Sequence, residues 1–171
     1  VFTANDSVAH NTGLFTWNTT CNHVRKNPYQ LYFKAIDNAT PVNLFDLKSM
    51  NIKVVGPAPR NLVAIPSGNS IRLSWNKNSC SNVSGYGIYR RNGLDGYLPG
   101  HCETGVPPST GYQLISTLTK PDTTFTDSEL SRGIEYCYLV VALYPDGAES
   151  YAANEACAQL KKGVPVITNV S

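Results

Sequence analysis

Turn punctuation recurs along this chain at intervals too short for long helices. Ser67-Gly68-Asn69, Asn92-Gly93, Asp95-Gly96 and Asp146-Gly147 each bring residues that tolerate positive φ into a tight bend. Short alternating runs lie between and around them. Ser70-Ile71-Arg72-Leu73-Ser74-Trp75 places an apolar side chain at every second position, as does Gln30-Leu31-Tyr32-Phe33-Lys34-Ala35. Tyr136 to Leu143 is an apolar run rich in aromatic and β-branched residues. No window carries a sustained i, i+3, i+4, i+7 apolar pattern with caps. Short strands between turns over 171 residues predict an all-β sandwich.

Proline and glycine divide the chain. Ile52-Lys53-Val54-Val55 reads as a last strand, and Gly56-Pro57-Ala58-Pro59 after it cannot continue a ladder. Lys161-Lys162-Gly163-Val164-Pro165 reads as a second linker. Three pieces follow: a partial β module at 1–57, a complete one at 58–160, and a linker with the start of another module at 161–171. The first piece is short for an independent sandwich. It is expected to be the C-terminal portion of a module, and a chain starting near Gly56 is expected to lose little stability. The chain opens on Val1 without a targeting segment and reads as a segment of a longer precursor.

The complete module reads as seven strands, near 61–65, 71–76, 85–91, 113–118, 123–126, 134–144 and 149–160. Leu130-Ser131-Arg132-Gly133-Ile134-Glu135-Tyr136 has the spacing of a tyrosine corner, in which the phenol reaches back to a backbone group before the sixth strand. Gly133 permits the bend and Leu130 fills beneath it. Alternation then puts Tyr136, Tyr138, Val140 and Ala142 on the core face, leaving Leu139, Val141 and Leu143 as an apolar outer stripe. The insertion can cover that stripe, or it can be a contact surface.

Over about 58–160 the sequence resembles a fibronectin type III domain. The resemblance rests on Pro59-x-Asn61-Leu62, Trp75 on the second strand, Gly85-Tyr86-x-Ile88-Tyr89-Arg90 on the third, the Leu130/Gly133/Tyr136 corner, and Asp146-Gly147-x-Glu149-Ser150 in the last hairpin. It implies an immunoglobulin-like sandwich with Trp75, Leu130, Gly133 and Tyr136 in its core. An antibody-type domain fits worse, since the second strand carries the Trp and no Cys. The departure is a long insertion over 92–112, which a compact domain usually ties down or uses. Leu14-Phe15-Thr16-Trp17-Asn18, Pro28 to Asp37 and Asn51 to Val55 resemble the last strands of cadherin-like or PKD-like modules of bacterial surface proteins. The combined order is similar to large secreted proteins of gliding Bacteroidetes that carry a gliding-motility-associated sorting domain.

Five cysteines cannot all pair within one chain. Cys137 and Cys157 flank the Asp146-Gly147 turn almost symmetrically, which places them opposite each other in a hairpin, on the outer face. Cys80 and Cys102 form the expected second pair, anchoring the insertion, and Cys21 is left unpaired. The rival arrangement is five buried thiols.

Composition narrows the setting. Charged residues are 15% of the chain and the net charge is +2, which gives no nucleic-acid signal. Asn, Ser and Thr supply the polarity, and with the cysteines they suit an oxidising, extracellular compartment. Five N-x-S/T sequons, at Asn5, Asn18, Asn38, Asn82 and Asn169, are what such a composition produces by chance. The longest apolar run, ending at Tyr144, is too short for a membrane-spanning helix.

Chemistry is sparse. His10, His23 and His101 lie in separate loop-like stretches, and no G-x-S-x-G, H-E-x-x-H or P-loop occurs. His101-Cys102-Glu103 is the tempting cluster, but neighbours on an extended chain diverge. Asp37 stands where cadherin-like modules place a calcium ligand; without further carboxylates nearby, a turn-capping role fits better. The spacing of Cys and His gives no zinc site. The expectation is therefore a non-catalytic module with no metal or cofactor, contacting neighbouring modules and a protein or glycan ligand. The alternative is a carbohydrate-binding accessory module that uses Tyr97 and Tyr112 of the insertion, with Tyr144 and Tyr151 flanking the last hairpin.

Overall fold

A computed structural model describes residues 2–5, 12–37, 40–119 and 122–161. The expected linker and next module at 161–171 lie, beyond Lys161, outside the described residues. Strands β1 (Phe2–Asn5) and β2 (Thr12–Phe15) form one antiparallel pair. A second pair joins β3 (Tyr29–Ile36) to β4 (Phe45–Ile52). A three-stranded sheet follows, made of β5 (Arg60–Ser67), β6 (Ser70–Asn76) and β9 (Thr124–Asp127), with β6 central. A four-stranded sheet runs in the order β11 (Ala156–Gln159), β10 (Glu135–Leu143), β7 (Gly85–Asn92), β8 (Gln113–Thr119). All these pairings are antiparallel. The chain is all-β, and residues 60–160 form the three-on-four immunoglobulin-like sandwich that the fibronectin type III resemblance implies.

The inner faces of the two sheets make one core. Ile71, Leu73 and Trp75 of β6 meet Tyr86 and Ile88 of β7 and Tyr136, Tyr138, Val140 and Ala142 of β10. The Trp75 ring stands edge-on to Tyr86 at 5.4 Å. Tyr136 closes the corner by accepting a 3.0 Å hydrogen bond from the Ser131 N–H. Gly133 has φ 84°, the left-handed conformation this bend needs. Leu130 packs against the core beneath it. Among the described residues one charged group enters the sandwich. Asp127, 5% exposed, accepts from both Arg90 Nη1 (2.9 and 3.0 Å) and the Tyr138 hydroxyl (2.9 Å). An Asp127→Ala change therefore strands a guanidinium and a buried phenol.

The last strand is shorter than the sequence predicts. Leu143 opposes Glu149 and Tyr138 opposes Ala156, so five steps along β10 face seven on the returning chain. Ser150 causes the slip. Its hydroxyl accepts from the Ala142 N–H at 2.8 Å, in place of a backbone carbonyl, and its N–H donates to Ala142 O at 2.9 Å. A bulge results, and regular pairing resumes only at Ala156. Beyond it Cys137 and Cys157 face each other and are bonded, with Cα atoms 4.0 Å apart.

The other disulfide corrects the expected framework. Cys80 bonds Cys21, not Cys102, with Cα atoms 5.4 Å apart, and Cys102 is an exposed free thiol. A short 3₁₀ turn at Cys21–His23 seats the first part of the chain against the loop after β6. Val24 behind it is 8% exposed and belongs to the sandwich core, with Cys21 and Val54 packed alongside. The Gly56–Pro59 stretch is strapped to the sandwich rather than solvated. Gly56 O accepts from Tyr151 N (3.4 Å) and Pro57 O from Asn78 Nδ2 (2.8 Å). Gly56 lies against the Tyr144 ring, where a Cβ would fall 2.0 Å from the hydroxyl oxygen.

Three outcomes test this framework. Non-reducing peptide mapping recovers Cys21–Cys80 and Cys137–Cys157 as linked pairs and Cys102 alone. Removing the first bridge by C21S/C80S lowers stability by about 4 kcal/mol on the chain-entropy scale for a loop this long, measured by denaturant unfolding. Asp127→Ala costs about 3–5 kcal/mol in the same assay.

Candidate functional site

The sequence left Leu139, Val141 and Leu143 open as a contact surface on the outer face of β10, and the structure places Cys137, Leu139 and Val141 along it. All three are fully buried. The insertion covers them. Tyr97, Val106 and Tyr112 of the insertion, with Ala152 and Cys157 beyond the last turn, close a second cluster around this stripe. Leu143 is partly buried at its edge. Tyr112 is 6% exposed, and the Tyr97 hydroxyl is buried. The expected binding surface of Tyr97, Tyr112, Leu139, Val141 and Leu143 is therefore a third layer of packing, because exposed apolar side chains on a central strand gain more by burial than by facing water.

Carboxylates hold this layer in place. Glu155 accepts from the backbone N–H groups of Asp95 (3.0 Å) and Gly96 (2.8 Å) and from the Tyr112 hydroxyl. Asp95 in turn pairs with Arg91 at 2.6 Å. Glu103 folds back onto Gly100 N at 2.8 Å, so His101-Cys102-Glu103 forms a turn and not a reactive cluster. Gly105 N donates to Ser150 O at 2.9 Å. At φ 77° Gly105 also lies so close to Glu149 that a Cβ would meet its carboxylate at 2.1 Å. The Cys102 N–H donates to the Tyr151 hydroxyl at 3.1 Å, which fixes the free thiol at the edge of the layer, away from Cys80.

Several phenols of the two cores resist ionisation. Burial first, then the charge of Glu149, pushes Tyr89 up to about 12. Burial first, then the Glu155 hydrogen bond, raises Tyr112. Burial and then Asp127 raise Tyr138, and burial raises Tyr97 and Tyr144. None of these is arranged as a general base. Cys137, Glu155 and Cys157 bring three ligand-type atoms together, but both sulfurs are spent in the disulfide. Asp37 caps a loop, accepting from Leu44 N at 2.8 Å, as a turn residue does. His23 caps its own 3₁₀ turn through Nδ1, 2.8 Å from Thr20 N. Asn82 of one sequon donates its amide to Cys21 O at 2.8 Å, which occupies the nitrogen a glycan would need. No helix among the described residues is long and apolar enough to cross a membrane.

What the sequence did not reveal is the joint between the first part and the sandwich. Around Cys21–Cys80 it adds the Lys26 N–H on Asp146 Oδ2 (2.7 Å) and Lys53 Nζ on Thr104 Oγ1 (3.1 Å). The backbone N–H groups of Lys26 and Ala148 hold the Asp146 carboxyl below its ordinary 3.8. A lowered carboxyl pKa stabilises the fold above the unfolded value and stops doing so as pH falls through the folded value. By contrast, the β3–β4 hairpin is largely bare: Tyr32, Ile36, Leu44, Phe45 and Leu47 are more than half exposed. In a pH series of melting temperatures, Asp146→Asn falls below the parent at pH 7, and the gap closes as pH drops below 3.8.

No protein-family profile and no curated protein matches the chain. Solved structures do. A Fn3-like protein from Clostridium thermocellum is 25% identical over 66% of this chain and 100% of its own, with a TM-score of 0.45. Pectate lyase Pel3 from Pectobacterium carotovorum is 21% identical over 67% of this chain, with a TM-score of 0.44, and the match spans 29% of the lyase chain. Titin domains A168–A170 are 17% identical over 69% of this chain and 37% of theirs, with a TM-score of 0.46.

Proposed function

We propose that the chain is a non-catalytic extracellular interaction and spacer module of a large secreted or cell-surface protein, serving adhesion or gliding motility. The observation that carries this reading is the joint: Cys21–Cys80 bonds the first part to the sandwich, and Val24 is buried in the sandwich core. A spacer must hold its neighbours at a set angle, and a covalent tie with a shared core does so. Residues 1–57 are then the end of a module whose remaining strands would cover the exposed apolar side chains of β3 and β4. Two disulfides suit an oxidising compartment. The carbohydrate-binding alternative relied on Tyr97 and Tyr112, whose phenols are turned into the packing.

Pulsed electron resonance between spin labels on unnatural residues at positions 48 and 117 tests the spacer. The reading expects one narrow distance distribution in the oxidised chain, broadened by reduction. A distribution equally broad in both states contradicts it. The same bonding makes the two parts one folding unit. A chain starting at Gly56 should therefore melt well below the full segment, contrary to the sequence expectation.

A further inference from the structure

Three cations converge where the first part of the chain, the insertion and the turn after β10 meet. Arg25, Lys26 and Lys53 line a cleft of about 290 Å³ together with Thr104 and Glu149. The β3–β4 register, with Tyr29 opposite Ile52, brings Arg25 and Lys26 beside Lys53, and the closed joint adds Thr104 and Glu149 to the lining. Arg25 is held in place: Nε donates to Asn27 O (2.9 Å), Nη2 donates to Pro28 O (3.0 Å), and the guanidinium lies 3.3 Å above the Tyr29 ring. Nη1 keeps its donors. The Lys53 ammonium is steered by Thr104 Oγ1 and by Cys102 O at 3.4 Å, and one of its three protons is left over. Asp146 takes the Lys26 backbone N–H, not its ammonium.

Among the described residues, none of the three cations forms an ion pair. Glu149 is the one carboxylate in the lining, and it accepts from the Tyr89 hydroxyl at 3.4 Å. Counting Asp146 at the rim beside Lys26, three positive charges stand against two negative, a surplus of one in a concave site. Like charges held close repel unless a counter-charge enters, and a concave wall strengthens their shared field. Fixed guanidinium donors, ammonium protons and a hydroxyl suit the several acceptor oxygens of a compact dianion.

We propose that this cleft binds a divalent oxyanion, sulfate or phosphate, free or as an ester on a glycan. The proposal needs the joint to be closed but does not depend on the spacer reading. It is tested on the whole oxidised chain by amide-shift titration at low salt. The probes are inorganic sulfate, inorganic phosphate and a sulfated disaccharide, against sodium chloride of matched ionic strength.

Saturable shifts at residues 25–26, 53–54, 104 and 147–149 are expected for sulfate and phosphate. K26Q/K53Q weakens binding about tenfold and E149Q tightens it about threefold, each the loss of one or two partly screened charges. A sulfated disaccharide that binds more tightly than the free ions identifies the ester as the source; equal affinity identifies the free ion. Shifts that rise linearly and match those in chloride overturn the proposal. So does unchanged affinity in both variants, and E149Q guards against a lysine variant that fails to fold. The spacer's failure would show in the spin-label distances, while failure here would show only in the titration.

Discussion

Strand β10 is buried on both faces, and the rest of the molecule is arranged around that fact. Its inner side chains, Tyr136, Tyr138, Val140 and Ala142, meet the three-stranded sheet. Its outer ones, Cys137, Leu139 and Val141, are covered by the insertion. Antiparallel sheets usually leave one face to water. Here an apolar outer stripe excludes that arrangement, so a third layer is required. The insertion supplies it, and the Glu155 carboxylate and Gly105 backbone bonds hold it down. The stripe that the sequence left open to a partner is consumed by the fold.

The second constraint is the joint. A proline-containing stretch beside Cys21–Cys80 would ordinarily be a hinge. In this chain its carbonyls are bonded to Tyr151 and Asn78, and Val24 is lodged in the sandwich core. The joint also sets Arg25, Lys26 and Lys53, gathered by the β3–β4 hairpin, against Thr104 and Glu149, in a cleft whose positive charge is only partly compensated. Mechanical fixation and a candidate ligand site thus arise from the same contact.

Local patterns were legible in the sequence where they depended on short separations. The 130/133/136 spacing fixed the corner, period-two alternation identified the core face of β10, and symmetry about Asp146-Gly147 paired Cys137 with Cys157. That symmetry survived even though Ser150 put a bulge inside the hairpin. Cys21–Cys80 was not legible. It joins residues 59 apart through packing between two parts that the prolines seemed to separate. Cys80 and Cys102, each on a loop, made the expected pair, and no local pattern distinguishes that pairing from Cys21–Cys80. The fate of the outer stripe depended on how a loop folds, which alternation does not encode. The cation cleft had only an adjacent Arg-Lys pair to announce it, and such pairs are common on solvated surfaces.

The central claim is that the insertion is a packing layer. Replacing residues 93–111 by a two-residue Asn-Gly turn keeps both disulfides and uncovers Leu139 and Val141. Chemical denaturation of this variant is the direct measurement. The account predicts a loss of roughly 3–6 kcal/mol for exposing these two side chains, with new binding of an apolar dye. An unchanged unfolding free energy, with a monomeric chain and no dye binding, would contradict it.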